Sequence, residues 1–254
     1  MIKLDSSSNA SFLQQIQQKQ DSILEKLSSG KRVNSAADGA AAQQIIDRLT
    51  SQVEGNRQSI SNAYDGISLA QVAEGGLAGI NEDVNRIREL SVQAGNGLLN
   101  DGDRKALQSE VSQLQQNISQ TIKQTEFGGK ALLSGSGSLD FQIGANAGQK
   151  IGVQTNDVAA GLSDILNVDL STAQGAQDAL AAADSAVDYV GNARADLGAT
   201  QNRFESAARN LAQTDINVTE ARSRIQDTDY AQASAELASA NLLSQSSIAV
   251  QSMA

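Results

Sequence analysis

Asp227 and Asp229, separated by one residue in the stretch Arg-Ile-Gln-Asp-Thr-Asp-Tyr-Ala, have the side chains of a general acid and base pair. Carboxylate catalysis needs the two groups to flank a scissile bond inside a shaped site, and no third polar group completes one here. Both lie at a break between two helical patterns, where an aspartate accepts from exposed backbone amides, so capping is their expected role. Gly135-Ser136-Gly137 has the small residues of a phosphate loop. It lacks a preceding strand pattern, a following Lys-Ser or Lys-Thr and a third glycine, so a linker or turn is expected. The sequence contains no His and no Cys. That removes imidazole and thiolate metal sites, Ser-His-Asp and Cys-His nucleophiles, and disulfides. The reading is of a chain without catalytic residues, metal or cofactor.

What remains is architecture. A net charge of −10 argues against nucleic acid as the main partner, because phosphate binding needs a basic face. No apolar run is long enough to span a bilayer, and the opening "MIKLDSSSNASFLQQ" lacks the hydrophobic block of a cleaved signal. Taken alone, this suggests a cytoplasmic protein or one exported by another route, with no membrane insertion. Over 254 residues the hydrophobic content is 40% but the aromatic content only 3%. A core built mainly from Ala, Leu, Ile and Val suits narrow, closely spaced helices, so an elongated helical body is expected.

Periodicity sets out the elements. Apolar residues recur every seven positions at Ala183, Val190, Leu197, Phe204, Leu211, Val218 and Ile225, which predicts a long helix packed at coiled-coil geometry. A partner stripe runs at three- and four-residue steps from Ile46 through Val53, Ile60, Ile67, Leu77, Ile80, Val84, Ile87 and Leu90 to Ala94. After the break "AGNGLLNDGD", where Asp101 or Asp103 is expected to cap, a third helix carries Leu107, Val111, Leu114, Ile118 and Ile122 and should fold back antiparallel to the first. The Gly-rich middle holds two alternating runs around "GANAG", and a β-hairpin is expected at about 138–155. The fold class read from the sequence is mainly α: long antiparallel coiled-coil-like helices forming a rod, with a small hairpin in mid-chain.

The two ends share a character. Residues 6–18 carry no charge, with Phe12, Leu13, Ile16, Ile23, Leu24 and Leu27 forming a weak amphipathic stripe, and residues 231–254 carry only Glu236. An isolated helix of this kind is marginal in water, so the ends are expected to pair and to gain order with other copies of the chain. Leu13, Ile16, Ile23, Leu27, Leu237, Leu242, Leu243 and Ile248 are the residues expected to pack between the terminal helices and between subunits.

The segments "LSSGKRVNSAADGAAAQQI", "NAYDGISLAQVAEGGLAGINEDVNRIRELSVQA", "FQIGANAGQKIGV" and "LGATQNRFESAARNL", followed by "ARSRIQDTDYA", together resemble bacterial flagellin, in that order and over nearly the whole chain. The resemblance implies a structural subunit, exported through the flagellar type III apparatus and polymerised into an extracellular filament for swimming. It implies an inner tube from paired terminal helices, residues 1–40 and 226–254, and a discontinuous wall domain, residues 41–225. No large outer domain is expected between them. Departures from the family pattern are the opening "MIKLDSSSNASF", Gly39 where a second Asp is usual, and an ending at "VQSMA" where a further Leu-rich segment is usual.

The same resemblance implies partners: other copies of the chain, an export chaperone at the C-terminal helix, and filament cap and hook-associated proteins. It also implies the vertebrate flagellin-sensing Toll-like receptor, through positions that correspond to Arg86, Leu90 and Glu110. Against that stands a simpler reading, in which Leu90 continues the apolar stripe and Arg86 and Glu110 form a solvated pair worth about 0–1 kcal/mol. By family analogy Ser134, Ser136 and Ser138 are candidates for surface O-glycosylation, whereas the sequons at Asn9, Asn117 and Asn217 fall in predicted helices and are discounted. Two alternatives stay open at this point: a hook–filament junction adaptor, and a signalling coiled coil such as a chemoreceptor cytoplasmic region.

Overall fold

The computed structural model describes residues 6–253. The opening "MIKLD" and the final Ala254, where two of the family departures fall, lie outside the described residues. The helices are α1 (Ser6–Ser29), α2 (Ala36–Ala94), α3 (Asp101–Gln124), α4 (Val158–Gly161), α5 (Ser163–Leu166), α6 (Ala173–Gln226) and α7 (Tyr230–Met253). The strands are β1 (Glu126–Phe127), β2 (Lys130–Ala131), β3 (Ser134–Gln142) and β4 (Lys150–Asp157). The chain is thus mainly α with a hairpin in its middle, as the periodicity implied. It divides into two compact units, Asn56–Ala212 and Met1–Gly55 with Gln213–Ala254. The boundaries expected from the sequence, after residues 40 and 225, fall within the second of these, near the helix break at Gly39 and the end of α6.

In the unit Asn56–Ala212, α2 and α6 run antiparallel along a shared seam. Descending α2, Arg88, Glu74 and Gly66 meet Asp184, Arg194 and Phe204 of α6 in turn. The buried positions of α6, Ala176, Ala179, Ala183, Ala186, Val190, Ala193, Leu197, Phe204 and Ala208, alternate three- and four-residue steps apart from one seven-residue step. That spacing keeps one face on the partner and gives coiled-coil packing. Phe204 is fully buried because Gly66 makes room: a Cβ at Gly66 would lie 2.5 Å from the ring. Across Phe204 stands Phe141 of β3, edge-on, with ring centroids 5.5 Å apart at 89°.

Helix α3 closes the bundle with Val111, Ile118 and Ile122. Its N-cap is Asn100, not the Asp101 or Asp103 expected. The Asn100 side chain accepts from the Asp103 amide at 2.9 Å and the Asp103 carboxylate accepts from the Asn100 amide at 3.1 Å, a reciprocal box that places Asp103 three residues in. At the same corner the buried guanidinium of Arg104 donates to the carbonyl oxygens of Ala94 (2.9 Å) and Asn96 (3.3 Å), supplying partners and positive charge to the end of α2. Two turns apart and facing the same way, Gln108 and Gln115 bind the backbone of the segment before α6. Gln108 accepts from the Leu170 amide, and Gln115 donates to the Ile165 and Val168 carbonyls.

Two findings differ from the sequence reading. The hairpin spans Ser134–Gln142 and Lys150–Asp157, beyond the expected 138–155, with Ser134 opposite Asp157 and an irregularity before Gly137. Gly135-Ser136-Gly137 is therefore part of a strand and not a linker. Gly and Ser are weak strand formers, so the pairing there comes from the opposing strand. A second, two-residue hairpin joins β1 to β2 through Gly128 (φ 57°) and Gly129 (φ 76°), whose positive φ values give the twist-matched turn.

In the other unit, α1 and α7 pair antiparallel. Gln20 donates to Asn241 at 2.9 Å, and the Tyr230 hydroxyl donates to the Leu27 carbonyl at 2.9 Å. The connectors flanking them also join. Lys31 and Asp227 form a single antiparallel β-bridge through their backbones, and the Arg32 amide and guanidinium donate to the carbonyls of Gln226 (2.6 Å) and Ile225 (2.8 Å). At Gly39 the backbone leaves helical geometry for an extended conformation (φ 162°, ψ 93°). Just before it, the Asp38 carboxylate accepts from the Ser35 and Asn34 amides, which holds its pKa below the usual carboxylate value.

Gly66→Ala is expected to destabilise the protein by about 1–3 kcal/mol through overpacking against Phe204. With Phe204→Leu in the background, the same change should instead stabilise by up to about 1 kcal/mol, alanine's helix preference over glycine. Urea unfolding of the four proteins of this cycle reads the change of sign.

Candidate assembly surfaces

The α1/α7 pair has a thin core. Ile23, Ala233 and Ala240 are buried, with Leu27 and Leu237 packed against them. Ile16 is also buried and Leu13 half-buried. Leu242 (68% exposed), Leu243 and Ile248 (56%) face outward, as do Phe12, Leu24 and Val250. Of the residues expected to pack at the terminal helices, Ile16, Ile23, Leu27 and Leu237 face inward, whereas Leu242, Leu243 and Ile248 stay uncovered. With Glu236 as its one charged side chain, α7 sets these apolar residues among uncharged Gln, Ser and Asn. Several uncovered large apolar residues on a helix with so little charge mark a surface for association.

Asp227 and Asp229 hold structural positions. The Asp229 carboxylate accepts from the Ala231 (2.9 Å) and Gln232 (3.2 Å) amides and caps α7. Asp227 takes the hydroxyl of Ser223 and lies in the bridge with Lys31.

On the unit Asn56–Ala212, Arg86 donates to Glu110 at 2.7 and 2.8 Å and to Glu89 at 3.0 Å. Its pKa rises above the already high ordinary value, first through the hydrogen bond to Glu110 and then that to Glu89. Leu90 is only 1% exposed and belongs to the core, so the structure separates it from the two charged residues it was grouped with. Its side chain is not available to a partner. The heptad stripe is buried at Val190, Leu197 and Phe204 and half-buried at Leu211, Val218 and Ile225. Ser134, Ser136 and Ser138 are all exposed on β3, and the Ser138 hydroxyl donates to Asp140.

The bacterial flagellin N-terminal helical region matches residues 3–138, and the bacterial flagellin C-terminal helical region matches residues 180–254. The chain belongs to the bacterial flagellin family. It is 38% identical to the flagellin of Bacillus subtilis (strain 168), over 91% of this chain and 88% of that protein. To the flagellar filament 30.7 kDa core protein of Treponema maltophilum it is 34% identical, over 91% and 87%. Among solved structures it resembles Bacillus cereus flagellin, with a TM-score of 0.56 and 24% identity, covering 59% of this chain and 88% of that one. It also resembles a Vibrio parahaemolyticus protein provisionally described as flagellar hook-associated, with a TM-score of 0.62 and 15% identity, covering 75% and 100%. At such identities the structural likenesses speak to the fold alone. This flagellin is a structural subunit that polymerises with itself into the extracellular flagellar filament, and it is not an enzyme. Little stands between its two matched regions: most of the hairpin, α4, α5 and the first turns of α6, which makes it a member of minimal size.

Leu90→Ala should destabilise by about 2–5 kcal/mol, the cost of a cavity at a fully buried position. Arg86→Ala should leave the stability close to that of the unaltered protein, because its ion pairs are half-exposed and screened by solvent. Chemical denaturation of the two variants separates core from surface at adjacent turns of α2.

Proposed function

We propose that the exposed face of α7, with the outward residues of α1, is the surface through which copies of this flagellin join at the filament's inner tube. The observation that carries this reading is the run of uncovered apolar residues Leu242, Leu243, Ile248 and Val250 on a helix with a single charge. Desolvating such a face costs little, and burying it against another copy removes apolar area from water. Residues 1–40 and 226–254 then serve as the tube and residues 41–225 as the wall. The same apolar face needs cover before assembly. That supports a flagellar export chaperone on α7, secretion through the type III route, and docking of new subunits beneath a cap on a hook-associated foundation.

Recognition by the flagellin-sensing Toll-like receptor is proposed at Arg86 and Glu110, with Glu89 alongside and Leu90 holding the helix from beneath. Glycosylation of Ser134, Ser136 or Ser138 is proposed on the exposed strand β3.

Seeded polymerisation followed by negative-stain electron microscopy tests the central reading. The unaltered protein should form long filaments. Leu242→Asp with Leu243→Asp should abolish them while leaving the unfolding of the unit Asn56–Ala212 unchanged. Filaments from the double variant would refute the role of α7, and failure of the unaltered protein to polymerise under any seeding would move the junction-adaptor reading ahead.

A further inference from the structure

Leu98, at the corner between α2 and α3, is 92% exposed, the most exposed large apolar side chain among the described residues. It is not on a slack loop. The Leu98 amide donates to the Asn96 side chain at 3.0 Å, the Leu99 amide donates to the Asn96 carbonyl at 3.2 Å, and Arg104 donates to that same carbonyl. The turn therefore presents an apolar knob whose backbone is already fixed, and docking it costs little further ordering.

The same unit carries a recess lined by both apolar and polar residues. An open groove of about 360 Å³ runs between α2, α6 and β4, with Leu69, Leu77, Leu133, Val153 and Leu197 on its walls. At 1.5 Å per residue, Leu98 is roughly 30–40 Å further along α2 than the groove, so a chain cannot insert its own knob into its own groove. Charges around the two features are reciprocal. Asp101 and Lys105 stand on the first turns of α3 beside the knob, while Asp196 and Arg203 line the groove. None of the four has an ion-pair partner among the described residues.

We infer that Leu98 of one copy seats in the groove of the next, with Asp101 and Lys105 facing Arg203 and Asp196. This rests on the filament reading and deepens it by naming a contact in the wall. Knob and groove are different patches, so the contact is heterologous. Repeated in one direction, such a contact gives an open-ended row of subunits and no closed dimer.

The chain contains no Cys, which makes the test direct. Leu98→Cys and Ala199→Cys proteins, each with one thiol, are mixed, polymerised and treated with a short bismaleimide; Ala199 is exposed and lines the groove. A 98-to-199 cross-linked dimer should appear in filaments and be absent from the unpolymerised mixture. Filaments that form from the mixture without that dimer overturn the contact. An unaltered chain that forms no filaments overturns the filament reading and this contact with it. Independently, Leu98→Asp should raise the critical concentration for polymerisation about ten- to hundredfold, the equivalent of one leucine's burial, with the monomer's melting temperature unchanged. An unchanged critical concentration would also overturn the proposal.

Discussion

The seam that α6 shares with its neighbours governs the unit Asn56–Ala212. Six of the buried positions of α6 are alanine: Ala176, Ala179, Ala183, Ala186, Ala193 and Ala208. Each buries little area by itself, and the larger residues of α2, Leu77, Ile80, Val84 and Ile87, fill the same core around them. A uniform alanine face does not fix register. Phe204 over Gly66 does, because a ring needs a gap and one lies opposite. The ion pairs Arg194–Glu74 and Arg88–Asp184, and the hairpin held through Phe141, all lie in the register so set.

The α1/α7 pair is built on the opposite principle. Three buried residues with two more against them form its cluster, and most of its large side chains point away. A two-helix contact this thin contributes modest stability, so local opening there should be far easier than in the three-helix seam. That difference suits the division of work. In the proposed assembly, one part of a filament subunit keeps its shape whatever surrounds it, while the other offers its apolar residues to other copies.

Much of this was legible from residue spacing. The seven-residue repeat from Ala183 to Ile225 and the three-four steps from Ile46 to Ala94 marked α6 and α2, because bulky apolar residues confined to one face of a helix need that face buried. The second line of the α6 seam, Ala179, Ala186 and Ala193, was hidden, since alanine is as common on helix surfaces as inside them. The β1/β2 hairpin had a readable signal in Phe-Gly-Gly-Lys, two glycines able to take positive φ between short extended pairs. The Ser-Gly-Ser-Gly start of β3 had none, for its pairing depends on the opposing strand and not on its own residues. The core position of Leu90 was written in its periodicity; the grouping with Arg86 and Glu110 came from family resemblance, which carries no information about burial. Asn100 was harder to single out as the cap, because Asp101 and Asp103 directly after it are residues of the same capping type.

The near-absence of charge on α7 has a thermal consequence. An interface made from this face would have almost no ionic contribution, so its driving force is the transfer of apolar surface out of water, which is largely entropic near room temperature and accompanied by a negative heat-capacity change. Cooling weakens such a force, and excluded salts such as sulfate strengthen it. Contacts between copies through α7 would therefore loosen in the cold, when most hydrogen-bonded contacts hold, and would be a temperature-sensitive part of the polymer.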